Sequence, residues 1–158
     1  MSTERITEIL ELNIAGSEYF ASDYDTDIDI AVPKQYLIKT LDKKCHLVIT
    51  VKSPALAVIS LNTGVVLGTG GGMSAGTAVT MVKRDQSDTT TPKTTIFKDY
   101  VIGNSGQNAG VELISEYNLA GFETKIKIKL APSLNYGLIF TTIADNNSGT
   151  FLFEFEEY

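Results

Sequence analysis

The chain of 158 residues contains one cysteine, one histidine and no tryptophan, and each scarcity closes a route. A lone thiol, Cys45, allows neither a disulfide within the chain nor a thiolate metal cluster. Any Ser-His-Asp or Cys-His machinery would have to use His46, because no other imidazole exists. Cys45 cannot serve as its partner, since adjacent residues of a strand point to opposite faces. Zinc needs several nitrogen or sulfur ligands, and one His with one Cys falls short. Basic residues are outnumbered, 13 against 19 acidic ones, and the net charge of −6 argues against a nucleic-acid or polyanion binder. No apolar run approaches the roughly 18 residues that cross a bilayer as a helix, so no membrane partner is expected. The opening "MSTERITEILELNIAG" carries Glu4, Glu8 and Glu11 where a signal peptide has a basic end and an unbroken apolar stretch. The expectation is a product made and kept in a cytosol until used.

What is present is alternation. From Tyr36 onward the dominant rhythm has period two, the mark of strands with one buried face. "CHLVITV" sets Cys45, Leu47, Ile49 and Val51 against His46, Val48 and Thr50. "KIKIKL" sets Ile126, Ile128 and Leu130 against Lys125, Lys127 and Lys129. "TFLFEFEEY" sets Phe151, Phe153 and Phe155 against Leu152, Glu154 and Glu156. Such strands suit an antiparallel sheet with one wet face. Turn signals separate them ("VPKQ", "SP", "NTG", "TTTPK", "GNSGQNAG", "APSLN", "DNNSG"), each with Gly, Pro, Asn or Asp in a turn role. The pattern predicts an all-β chain: an antiparallel, jelly-roll-like β-sandwich over 15–158, preceded by a short N-terminal arm or helix over 1–14. In that arm Ile6, Ile9 and Leu10 share a helical face, with Ser2 or Thr3 as a cap. The basic row of Lys125, Lys127 and Lys129 and the acidic row of Glu154, Glu156 and Glu157 pair across the sheet if their strands are neighbours. If they are not, each can dock an opposite charge.

Two motifs invite a ligand and fail on context. Gly70, Gly72 and Ala75 fit the G-x-G-x-x-A form of a dinucleotide turn. That turn must open a helix, whereas Gly76, Thr77, Val79, Thr80 and Val82 are poor helix formers, and Ala78, Thr80 and Val82 against Val79 and Met81 read as a strand. A phosphate loop fails too, for no Gly-Lys-Ser or Gly-Lys-Thr follows. "SDYDTDID" alternates Asp23, Asp25, Asp27 and Asp29, a spacing at which carboxylates can gather on calcium. A calcium hand would need Gly and Glu where Ile28 and Lys34 stand, so the plain reading is an acidic turn entering a strand with outward aspartates; whether Asp23, Asp25 and Asp27 hold a cation stays open. No cofactor is expected.

"GGGMSAGTAVTMVKRDQSD" resembles a run of tailed-bacteriophage virion proteins: a glycine-rich segment, Gly-Thr-x-Val, then a basic-polar stretch. Gly76, Thr77 and Val79 fit, with Lys83, Arg84 and Ser87 at the basic-polar end, and Val82 and Asp85 where asparagines are common. "IKLAPSLNYGLIFTTIADNNSGTFLFEFEEY" resembles the closing pattern of the same proteins through Leu130, Pro132, Tyr136, Phe155 and Tyr158. The likeness covers roughly Gly68 to Tyr158, with Ile14 and Ala15 departing from an upstream segment that often holds His before Gly. It implies a β-sandwich or jelly-roll protein of the head-decoration or cement kind. Such a protein is not an enzyme, takes no cofactor, and binds the major capsid protein, other virion proteins or copies of itself on a particle assembled in the host bacterial cytoplasm. Loops carry contacts while a sheet supplies rigidity. The expected contacts are therefore Gly68, Gly70, Gly71, Gly72, Gly76, Lys83 and Arg84 in the loops, and Ile6, Ile9 and Leu10 in the arm. Alternatives are a tail, neck or fibre-attachment protein, or a carbohydrate-binding sandwich stacking sugars on Tyr19, Tyr24 or Tyr100.

Overall fold

The computed structural model describes residues 18–67, 76–84, 86–87, 89–102 and 109–158. Among them no helix forms, and eleven strands build two antiparallel sheets packed face to face. The front sheet runs β6 (Val82–Lys83), β1 (Glu18–Ile28), β11 (Asn147–Glu157), β3 (Cys45–Lys52), β9 (Glu123–Leu130). The back sheet runs β5 (Thr77–Ala78), β7 (Thr95–Lys98), β2 (Lys34–Lys39), β10 (Asn135–Thr142), β4 (Ala57–Thr63), β8 (Val111–Asn118). β1 pairs with β11, β2 with β10, β3 with β9 and β4 with β8, as though one long hairpin had been rolled up. That is the jelly-roll arrangement, and it yields the sandwich the alternation predicts.

The three quoted alternations hold residue by residue. Leu47, Ile49 and Val51 face Phe151, Phe153 and Phe155 across the strand register, and all are buried. Between the sheets Tyr36 packs on Phe151 and Phe153 at ring distances of 5.0 and 5.1 Å, and Phe140 meets Phe151 edge-on at 5.3 Å. Offset and edge-on aromatic pairs contribute roughly 0.5–1.5 kcal/mol each beyond area burial.

The tip of the rolled hairpin, 64–110, carries three short strands: β5 (Thr77–Ala78), β6 (Val82–Lys83) and β7 (Thr95–Lys98). β6 extends the front sheet beyond β1, while β7 and then β5 extend the back sheet beyond β2. The predicted single strand from Ala78 to Val82 is thus two pieces, interrupted where Val79 turns inward to join the core. Described residues of the tip also lie on the outer face of the back sheet. Val65, Tyr100 and Ile102 bury themselves against Leu37 there, with Leu67, Phe97, Ala109 and Ile139 alongside. Hydrogen bonds fix this layer: Ile102 N to Gln35 Oε1 (2.8 Å), Asn62 Nδ2 to Ala109 O (3.0 Å) and Val65 N to Asn135 O (3.1 Å).

A candidate docking surface at one end of the sandwich

The registers Ile28–Asn147, Lys52–Glu123 and Ala57–Asn118 bring four connections to the same end of the sandwich. They are 29–33, 53–56, 119–122 and 143–146. The start of β1 at Glu18, the end of β11 at Glu157 and the β4 end at Thr63 all lie at the opposite end.

Each connection is braced by the next. Ile30 N donates to Asp145 Oδ1 (2.9 Å), and Asn146 N donates back to Asp29 Oδ1 (3.0 Å). Ile143 N donates to Leu56 O (3.2 Å) and Ala55 N to Asn147 Oδ1 (3.3 Å). Gly121 N donates to Ser53 O (2.9 Å), and the buried Asn118 side chain lies 3.0 Å from Ser53 Oγ and 2.8 Å from Thr124 Oγ1. Polar atoms at the loop bases are therefore consumed internally, and the tips are left apolar. Ile30, Val32, Leu119, Phe122 and Ile143 are 50, 69, 57, 67 and 57% exposed. Exposed apolar residues scattered singly need no explanation, but several gathered on one rigid end mark an interaction surface. Because the loops are already tied together, docking would order little further chain, and the entropic cost of association falls accordingly. The sequence gives little signal of this end, because its residues come from four separate loops and only the register unites them.

Of the residues expected to make contacts, Ile6, Ile9, Leu10, Gly68, Gly70, Gly71 and Gly72 lie outside the described residues. Gly76 sits at φ +64°, and a Cβ on it would come within 2.9 Å of Lys98 O, so it serves local packing of β5 on β7. The residues after it, Thr77–Ala78, are strand where a dinucleotide turn needs a helix. Lys83 holds its ammonium 5.9 Å from the Tyr19 ring centroid, and Arg84 pairs with Glu18 (3.1 Å) and Glu154 (3.4 Å) of its own chain.

The aspartate run is corrected by the structure. β1 already begins at Glu18, and Asp23 falls on the inward row with Tyr19 and Ala21, not on the outside. It accepts from Tyr36 Oη (2.8 Å) and from Lys98 Nζ (3.2 Å). The Lys34 ammonium stands 3.5 Å from Asp23, 3.1 Å from Asp25 and 2.6 Å from Asp99. A lysine thus occupies the place of the contemplated cation, and Asp25 additionally accepts from Asp27 N (3.1 Å). Burial raises the Asp23 carboxyl, yet the bonds from Tyr36 and Lys98 and the charge of Lys34 outweigh it and the pKa ends below the usual value. Burial likewise lowers Lys34, but its bonds to Asp99 and Asp25 carry it above the ordinary lysine value.

His46 faces outward from β3 and meets Tyr158 Oη at 3.0 Å, while Cys45 is buried on the other face, its thiol pushed by burial up to about 12. Of the three tyrosines considered for sugar stacking, Tyr19 stacks on Phe155 in the core and Tyr100 is buried in the outer layer, leaving Tyr24 exposed. Compared with known protein families, curated proteins and solved structures, the chain matches none.

Proposed function

We propose that this chain is a non-enzymatic structural protein of a tailed-bacteriophage virion, a capsid decoration or cement protein that docks its braced apolar end on the assembled head. The observation that carries the reading is the gathering of Ile30, Val32, Leu119, Phe122 and Ile143 on four mutually hydrogen-bonded loops. It suits a flat protein surface better than a small molecule, because the apolar tips project outward. The likeness of 68–158 to virion proteins supplies the identity of that surface as the major capsid protein. A jelly roll hosts many functions, so the fold alone does not select this one. A protein that binds the shell and not unfolded subunits stabilises the shell by mass action, and many symmetric copies make a weak single contact sufficient.

The test is made on purified particles. The protein should be found there in many copies over the head, with its 29–33 and 143–146 loops against the shell. Heads lacking it should break at a lower temperature. A few copies at one vertex would instead indicate the tail, neck or fibre-attachment role, and absence from particles would sink both.

A further inference from the structure

The outer face of the front sheet carries a charge pattern that the docking end does not use. β3 runs between β11 and β9, one strand spacing of about 4.8 Å from each. At one level of the sheet the order is Glu154, Val48, Lys127; at the next it is Glu156, His46, Lys129. The glutamates and lysines are therefore not neighbours but flank β3 at roughly 10 Å, too far for direct pairing. Lys125 has Glu123 at 3.6 Å, whereas neither Lys127 nor Lys129 has a carboxylate within ion-pair distance among the described residues. On the acidic side Glu154 is held, among the described residues, only by Arg84, at 3.4 Å from a half-exposed guanidinium. Glu18 beside them is raised above the usual carboxylate value by burial first, eased by Arg84, and raised further by Glu154 and Glu156. Among the described residues the acidic stripe of Glu18, Glu154 and Glu156 thus has one cation, Arg84, and Lys127 and Lys129 have no anion.

We propose that this face is a self-complementary interface, occupied by a second copy of the chain across a two-fold axis lying along β3. Rotation about that axis carries β9 of the partner over β11. Lys127 then faces Glu154 and Lys129 faces Glu156, and each pair occurs twice because the contact is isologous. Val48 meets its own equivalent at the centre, an apolar contact between the charged stripes. A two-fold at right angles to the strands would set lysine on lysine and glutamate on glutamate, so the pattern selects one of the two in-plane axes. Sheet twist separates facing strands with distance from the axis, and the strands beside β3 are the ones it displaces least. The inference does not depend on the virion reading, since it concerns the isolated protein in solution.

The test is a charge swap followed by sedimentation at submillimolar protein and low salt. The wild-type chain should be a dimer that weakens as salt rises. Lys127→Glu with Lys129→Glu should raise the dissociation constant about a hundredfold or more, and Glu154→Lys with Glu156→Lys should do the same. Mixed in equal amounts, the two variants should form a heterodimer, since all facing pairs are again opposite. That recovery also shows that both variants fold, and circular dichroism of each checks it directly. A wild-type chain that stays monomeric overturns the proposal. So does a dimer indifferent to both reversals, which would place the contact on the free β8 edge or the apolar end.

Discussion

Lys34 shows how much one side chain can decide. It is 7% exposed and sits among Asp23, Asp25 and Asp99, joining β1 and β2 to the segment after β7. Replacing it with methionine keeps the volume but leaves Asp23 with only Lys98 and the Tyr36 hydroxyl, and should cost about 3 kcal/mol in urea unfolding. The pH dependence has two flanks. Asp23 titrates below its unfolded value, so its stabilisation is complete above the unfolded carboxylate range and is lost as pH falls through the folded pKa. Lys34 titrates above its unfolded value, so its contribution is complete below the unfolded lysine range and disappears as pH rises through the folded pKa. Melting temperature against pH should show both flanks in the wild-type chain, and Lys34→Met should remove the alkaline one. An unchanged alkaline flank would mean that another group sets it. The sequence shows the aspartates plainly but not their partner, because the pairing of β2 with β7 sets Asp99 beside Lys34 and only the packing of the two sheets brings both to β1.

Elements were legible where one face is purely apolar. β3 keeps that rule throughout, and β9 and β11 keep it over Ile126–Leu130 and Phe151–Phe155. Glu157, expected in the outward acidic row, instead lies buried on the inward row, where it accepts from Lys93 N and Thr94 N. β1 breaks it, since its inward row ends in Asp23 and Asp25, so the chain before Tyr36 reads as an acidic turn. β8 is exposed along most of both faces, which erases alternation, and a bulge opposite Leu61 and Asn62 shifts its register as well. β7 is four residues at the end of a polar stretch. The outer layer over β10 depends on another local feature, Gly137. A Cβ there would meet Ile102 Cδ1 at 2.4 Å and Val65 Cγ2 at 3.3 Å, so the glycine lets the 64–110 tip lie flat on the sheet. Gly137→Ala should cost about 1–3 kcal/mol by overpacking, read as a fall in the urea midpoint. Ile102→Val removes the clashing Cδ1 and should restore most of the loss in the double variant. Additive losses would show that the layer does not rest there.

At the scale of the molecule the rolled hairpin makes the first strand depend on the last. β11 lies between β1 and β3 and carries Phe151, Phe153 and Phe155 into the core. A chain ending at residue 146 should therefore show no cooperative thermal transition, whereas loss of the exposed Tyr158 alone should shift it little. Folding should fall in the slow range of all-β domains, about milliseconds to seconds, because first and last strands must meet. The same long-range pairing explains why the docking end escapes sequence reading while the sandwich does not. Alternation is local, but Val32, Phe122 and Ile143 come to the same end of the sandwich only when β1, β8 and β10 have found their partners. This separation allows stability and docking to be tested apart. Val32→Ser, Phe122→Ser and Ile143→Ser alter exposed tips whose bracing runs through backbone and aspartates. Each should move the folding free energy by no more than about 0.5 kcal/mol, as surface changes do. If the proposed head-docking role holds, the triple variant should nevertheless fail to attach to heads lacking the protein, measured by cosedimentation against the wild-type chain. Attachment at wild-type level would exclude this end as the contact, and the charged face of the front sheet would be next to examine on the particle.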